Sequence, residues 1–288
     1  MATLKSIRKR INATKNTKKL TRAMRMIAAV KLRRAQMKAI EARVFSNEIM
    51  RLLTETIKRG TAVKNPLLEE RSERSGSTDI IIFTSDRGMC GTFNENLLSH
   101  VSHFIEDKKE KGIGINCYVI GRKGRDYFKK TGTKIEKAYV HITEPEFKKI
   151  AETEMPFFKE RFLNGLVDEV LIAFNKFKGV GSSEPKLERL FPASPPVVVE
   201  EYAVNYIYEP TKENVIDWLI SQSIASHFNQ AYLESAAGEI SARMVAMDKA
   251  TRNAEDLITG LTTQFNKARQ SSITKELIDI VGGAEALK

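Results

Sequence analysis

Residues 233–268 read LESAAGEISARMVAMDKATRNAEDLITGLTTQFNKA, and their spacing decides the fold. Leu233, Ala236, Ile240, Met244, Met247, Ala250, Ala254, Leu257, Leu261, Phe265 and Ala268 follow one another by steps of three and four. A period near 3.5 sustained this long marks a coiled-coil seam rather than the single face of a short surface helix. Proline supports the same reading. All 8 prolines lie between Pro66 and Pro210, and no glycine precedes Gly60. An interior proline costs a helix roughly 3 kcal/mol, so both ends of the chain are free to form unbroken helices. At roughly 1.5 Å per residue the first arm reaches roughly 80–90 Å and the second roughly 110 Å, lengths suited to a shaft.

The N-terminal arm carries a matching pattern. Leu4, Ile7, Ile11 and Thr14 open it, and Ala28, Leu32, Ala35, Ala39, Ala42, Ile49 and Leu53 continue it with one slot at Ser46. Alanine at several seam positions implies close helix approach. Between the two runs Leu20, Met24 and Ile27 shift the apolar stripe, which predicts a changed partner there. The second arm is expected to start after Pro210, with Thr211 as N-cap, and to fray at Gly282-Gly283. Arms from opposite chain ends pair antiparallel if the middle returns the chain to its starting point.

The middle follows a different pattern. Asp79–Thr84, Ile115–Ile120, Val167–Phe174 and Val197–Tyr208 read as strands, with helices at Asn94–Lys109 and Arg122–Lys130. Strands alternating with helices predict a mostly parallel, Rossmann-like α/β sheet. Linkers are expected at Lys64–Thr78 and at Gly179–Pro196, the latter rich in Gly, Ser and Pro. The expected class is therefore α/β plus a long antiparallel coiled coil. Its parts are a helix over 1–60, an α/β domain over 61–210 and a helix over 211–288.

Composition narrows the function. Hydrophobic residues make up 42% of the 288 and charged residues 29%, which fits an ordered protein. No apolar run approaches the roughly 18 residues of a membrane span. The basic start lacks an uninterrupted apolar core, so it does not read as a secretory signal, and its heptad continuity favours a structural helix over a transit peptide. The formal charge of +11 is concentrated in the first arm, where Lys5, Arg8, Lys9, Arg10, Lys15, Lys18, Lys19, Arg22 and Arg25 precede the first acid, Glu41. Such a stripe suits nucleic acid, an anionic membrane surface or an acidic protein collar.

Chemistry is sparse. Cys90 and Cys117 have no C-x-x-C spacing, and His100 with His103 lacks a third ligand, so neither a redox pair nor a metal is expected. Gly88-Met89-Cys90-Gly91 is not G-x-G-x-x-G, and no GK[ST] completes a phosphate loop. Gly121-Arg122-Lys123-Gly124 is a second candidate anion grip, against an ordinary solvated helix start. Asp86-Arg87 reads as a turn ion pair or an interaction surface. No catalytic residue, cofactor or metal is expected. Two competing classes remain testable: a basic coiled-coil nucleic-acid binder, whose affinity falls steeply with salt, and a stand-alone α/β enzyme holding a nucleotide. Interleaved aromatics and zinc spacing, which would favour the former, are missing.

At these residues the chain resembles the gamma subunit of F-type ATP synthases. The resemblance rests on Ile11–Met24 (INATKNTKKLTRAM), Lys31–Gln36 (KLRRAQ), Ser85–Gly91 (SDRGMCG), Ala242–Met247 (ARMVAM) and Asn266–Leu277 (NKARQSSITKEL), continuing to Ala286. Met89 stands where the family has leucine, and Ile240 where many members have histidine. No regulatory cysteine loop of the chloroplast type is present. The resemblance implies a rotor shaft that couples ion-driven rotation of a membrane c ring to conformational cycling of catalytic beta subunits. It further implies a foot shared with the epsilon subunit, a surrounding ring of alpha and beta subunits, and no nucleotide on the chain itself. By motif, Met24, Arg269 and Gln270 are expected to contact beta subunits. Tyr206, Tyr208 and Glu209 are expected on the foot near the c ring or epsilon. A peripheral place on the cytoplasmic face of a bacterial plasma membrane is the implied location.

Overall fold

A computed structural model of the protein describes residues 4–58, 65–69, 75–193 and 207–285. Two compact units are distinguished, Met1–Ala29 with Arg243–Lys288, and Val30–Ala242. Helix α1 (Leu4–Lys58) and helix α5 (Lys212–Glu285) each contribute to both. The remaining elements are β1 (Ser77–Phe83), α2 (Phe93–Glu110), β2 (Gly114–Ile120), α3 (Arg122–Thr131), β3 (Ile135–Tyr139), α4 (Glu144–Leu163), β4 (Glu169–Gly179) and β5 (Ser182–Phe191). The class is α/β plus an antiparallel helical coiled coil.

In the unit built from the chain ends, α1 and α5 pair antiparallel along polar and small side chains. Ile7, Thr21 and Ala28 are buried on α1, and Met247, Thr251, Ala254 and Leu261 on α5. Two expected α5 seam positions are corrected. Leu257 is 58% exposed, and the seam runs through Thr251 and Ile258 instead of Ala250 and Leu257. The three-four steps are unchanged, but the partner residue opposite is Thr21, which selects a hydroxyl over a methyl.

The unit Val30–Ala242 is built on a five-stranded sheet ordered β3-β2-β1-β4-β5. β1 lies parallel to β2 and β4, β2 is parallel to β3, and β5 is antiparallel to β4. Alternation along the central strands feeds two cores. Ile80, Ile82, Cys117 and Val119 face α2 and α3 through Leu97, Val101 and Phe128. Ile81, Phe83, Tyr118, Val170, Ile172 and Phe174 face α4 and α5 through Phe158, Phe162, Ile220 and Phe228, with Leu53 of α1 in the same cluster. Burial on both faces explains why these strands read as near-continuous apolar runs.

Other expectations change. The stretch expected to be a linker, Gly179–Pro196, contains β5, an edge strand that tolerates Pro185 because an edge residue can do without a ladder N–H. β3 and α4 were not expected. α4 carries Pro145 in its first turn and Pro156 inside it, which masks its period, yet Glu146 Oε2 accepts Thr143 N–H at 2.6 Å as in a capping box. The strand expected over Val197–Tyr208 lies mostly outside the described residues, and Ile207 and Tyr208 are not in a strand. At the start of α5 the Thr211 hydroxyl accepts Asn214 N–H at 3.3 Å, the cap expected there.

Candidate functional site

Two places gather the residues singled out by sequence. The first is the helix pair of the end-to-end unit. Three successive polar layers cross its seam: Lys18 Nζ to Glu255 Oε1 at 2.9 Å, Thr21 Oγ1 to Thr251 Oγ1 at 2.8 Å, and Arg25 NH1 to Asp248 Oδ1 at 2.8 Å. Arg252 reaches the other Asp248 oxygen at 2.8 Å. The apolar side chains of the same stretch lie outside, with Leu20 62% and Ile27 57% exposed and Met24 half-buried. The expected change of partner at Leu20–Ile27 is thus not a slip of the seam. The seam continues in phase through polar residues, while Leu20, Met24 and Ile27, stepping by four and three, form a second stripe on the flank.

Polar pairs at seam positions cost stability against leucine but penalise every other alignment, since a shifted register leaves a hydroxyl or charge unpaired. Thr21, Arg25, Asp248 and Thr251 were missed by a reading that scored apolar residues alone. Charge sign was the available signal, because Arg25 occupies a seam step of α1 and the acidic Asp248 flanks the seam residue Met247 on α5.

Arg269 and Gln270 are exposed on α5 in this same unit. Met24 sits opposite the region of Asp248, and Arg269 lies about 20 residues further along α5, hence about 30 Å away. The fold therefore does not bring the expected beta-contact residues together; it spaces them along one rod. Beyond Arg269, Ile273, Leu277, Ile278, Ile280 and Val281 are about half or more exposed.

The second place is the carboxyl end of β1, β2 and β3. In an open α/β sheet this is where anions bind, at the first amides of a following helix. Here α3 begins after Gly121, whose φ of 106° and 2.1 Å Cβ clearance to Thr84 O admit only glycine. The next three amides are already bonded: Arg122 N–H to Asp86 Oδ1 at 2.9 Å, Lys123 N–H to Ser85 O at 3.0 Å, and Gly124 N–H to the Thr84 hydroxyl at 2.9 Å. Asp86 Oδ1 also accepts His141 N–H at 3.0 Å, from the loop after β3. Asp86 is thus a carboxylate standing where a ligand phosphate would stand. Met89 and His141 hold φ of 64° and 57° beside it, a conformation uncommon outside glycine.

Cys90 and Cys117 are both buried and reduced, and burial pushes the Cys117 thiol up to about 12. Tyr208 is half-buried with Lys212 Nζ 5.6 Å from its ring, Glu209 is exposed, and Tyr206 lies outside the described residues. Among the described residues no group of three His, Cys, Asp or Glu side chains is arranged to hold a metal, and no helix is long and apolar enough to cross a membrane.

The family described as ATP synthase matches residues 3–287. The ATP synthase gamma chain of Anaeromyxobacter sp. is 38% identical over 292 residues, and that of Geotalea uraniireducens 40% over 293, each covering 100% of both chains. Among solved structures, a chain of the Euglena gracilis mitochondrial ATP synthase in an OSCP/F1/c-ring assembly aligns over 99% of this chain and 94% of its own, with TM-score 0.66 at 17% identity. A chain from the central stalk/c-ring structure of the Tetrahymena thermophila mitochondrial ATP synthase covers 80% of this chain and 99% of its own, with TM-score 0.57 at 23% identity. The structural likenesses speak to fold, and the full-length identities to family: the chain belongs to the ATP synthase gamma-chain family.

Proposed function

We propose that this chain is the central rotor shaft of an F-type ATP synthase, a non-catalytic subunit that converts ion-driven rotation of the c ring into conformational cycling of the catalytic beta subunits, or runs in reverse. The observation that carries the reading is the inverted helix pair. Between residues 18 and 27 polar side chains fill the seam and apolar ones point outward, the pattern of a rod surrounded by other protein. Leu20, Ile27 and the flank of Met24 face the collar of alpha and beta subunits, and the cations around them complement acidic beta segments.

Each angular position of such an asymmetric rod stabilises a different conformation of each neighbour, which is coupling free energy distributed around a ring. Arg269 and Gln270 contact a beta loop, for which the planar guanidinium fork is suited. Residues 61–210 form the foot, meeting epsilon and the c ring through the Tyr206–Glu209 segment, with the helices 1–60 and 211–288 as the shaft. The Asp86-filled cradle supports the non-catalytic reading, because the amides that would hold a nucleotide phosphate are spent on the chain's own carboxylate. Its place is peripheral, on the cytoplasmic face of a bacterial plasma membrane, held there through the c ring.

The test is co-purification followed by coupling. The chain retains alpha and beta subunits in near-equal stoichiometry, and Arg269→Ala lowers ATP synthesis by the reconstituted complex by roughly threefold or more while leaving assembly intact. A chain that never associates with those subunits, or unchanged synthesis by the variant, counts against the respective statement.

A further inference from the structure

Glu234 of α5 has no exposed surface, and its carboxylate bonds to α1 and β4 as well as to its own helix, all within the unit Val30–Ala242. Oε1 accepts Arg43 Nε–H of α1 at 2.9 Å and Gln230 Nε2–H at 2.8 Å. Oε2 accepts the main-chain N–H of Phe177 in β4 at 3.2 Å. Arg43 completes the ring by donating NH2 to the Phe177 carbonyl at 2.9 Å. Both main-chain groups of one strand residue are therefore taken by an ion pair drawn from two helices.

The topology explains why they are available. β1 pairs with β4 only as far as Ala173, so β4 runs on beyond its parallel neighbour as one arm of the β4–β5 hairpin. Arg43 and Glu234 take the place of the missing strand at Phe177. Two turns further along α5, the Ser241 hydroxyl accepts Gly181 N–H of the hairpin turn at 2.7 Å. Between them Gly238 lies so close that a Cβ would sit 3.2 Å from the Phe93 ring and 3.5 Å from Ser183 Cβ. Glu234, Gly238 and Ser241 form one stripe of α5, spaced by four and three, set against the hairpin.

We propose that the Arg43–Glu234 pair, seconded by Ser241, is the clamp that positions the helix pair on the sheet and resists its slipping under rotational load. The inference deepens the rotor reading and rests on it. Apolar packing is non-directional and yields to small sliding of one surface over another. Hydrogen bonds to a fixed main chain weaken steeply as their angles open, so a pair that holds both main-chain groups of Phe177 resists turning where packing alone does not. A buried carboxylate in an ion pair is a poor way to gain stability, and its presence here fits a directional task.

The experiment uses the whole complex in liposomes, with ATP hydrolysis measured after the ion gradient is collapsed and ion pumping measured against an imposed gradient. The informative variant is the double substitution Arg43→Met with Glu234→Met, which fills the space with apolar side chains and leaves no lone buried charge. Expected are assembly like the parent, unloaded hydrolysis within roughly twofold, and pumping per ATP against the gradient reduced by roughly threefold or more. Ser241→Ala shows the same split to a smaller extent and keeps the test open if the double variant assembles poorly. A merely structural role would lower thermal stability and yield but leave pumping per ATP unchanged in the assembled complex, and that result overturns the clamp. Failure of the parent chain itself to assemble or pump overturns the rotor reading instead, so the two outcomes are distinct.

Discussion

At the scale of single residues, Asp86 of the Ser85–Gly91 motif ties together the loops at the carboxyl end of the sheet. Its carboxylate holds two amides that follow different strands, the first amide of α3 after β2 and that of His141 after β3. Asp86→Ala strands both donors and is expected to cost about 1–3 kcal/mol, with Asp86→Asn costing less because one oxygen acceptor remains. Thermal melts with added formate check the mechanism. The alanine variant regains stability as the small carboxylate refills the cradle, while the parent does not respond. The Ser85–Gly91 motif was legible in the sequence. Its meaning was not, because the residues Asp86 binds lie 36 and 55 positions away.

At the scale of elements, α4 illustrates both the signal and its masking. Two prolines broke its apparent period, although Thr143 and Glu146 marked its start. Hydrogen bonds from the Thr143 side chain and main chain hold the Glu146 carboxyl below the ordinary carboxylate range. A carboxyl whose folded value is depressed contributes stability that is present above its unfolded value, near pH 4, and is lost as pH falls through the folded one. Glu146→Gln is therefore expected to flatten the acid limb of the stability profile below about pH 4.5 and to leave the neutral-to-basic side parallel to the parent. Denaturant midpoints taken across pH 2.5–7 check this. The β4–β5 hairpin teaches a related lesson. Its second strand was read as linker because Ser, Pro and charge dominate it, yet an edge strand needs only one bonded side and one buried face.

At the scale of the whole chain, the proposed non-catalytic role makes a direct prediction. The purified chain alone is expected to hydrolyse ATP no faster than buffer and to restore coupled activity only when combined with the other subunits. Turnover by the isolated chain would overturn the non-catalytic reading. The gross plan was legible because helix propensity, proline placement and heptad spacing are local quantities, summed along the chain without knowledge of partners. So were the family motifs and the apolar strands at the middle of the sheet. What local quantities leave open is which of several compatible side chains face each other. Thr21 with Thr251, Arg25 with Asp248, and Glu234 with Arg43 and Phe177 are joined only when distant segments pack, and the buried members, Thr21, Thr251 and Glu234, are tolerable there only with their partners present. The long helices follow from local order, but the polar alignment between them, the filled anion cradle and the grip on the hairpin exist only in the folded chain, because a hydrogen bond between residues far apart in sequence is set by how both segments pack and not by either segment alone.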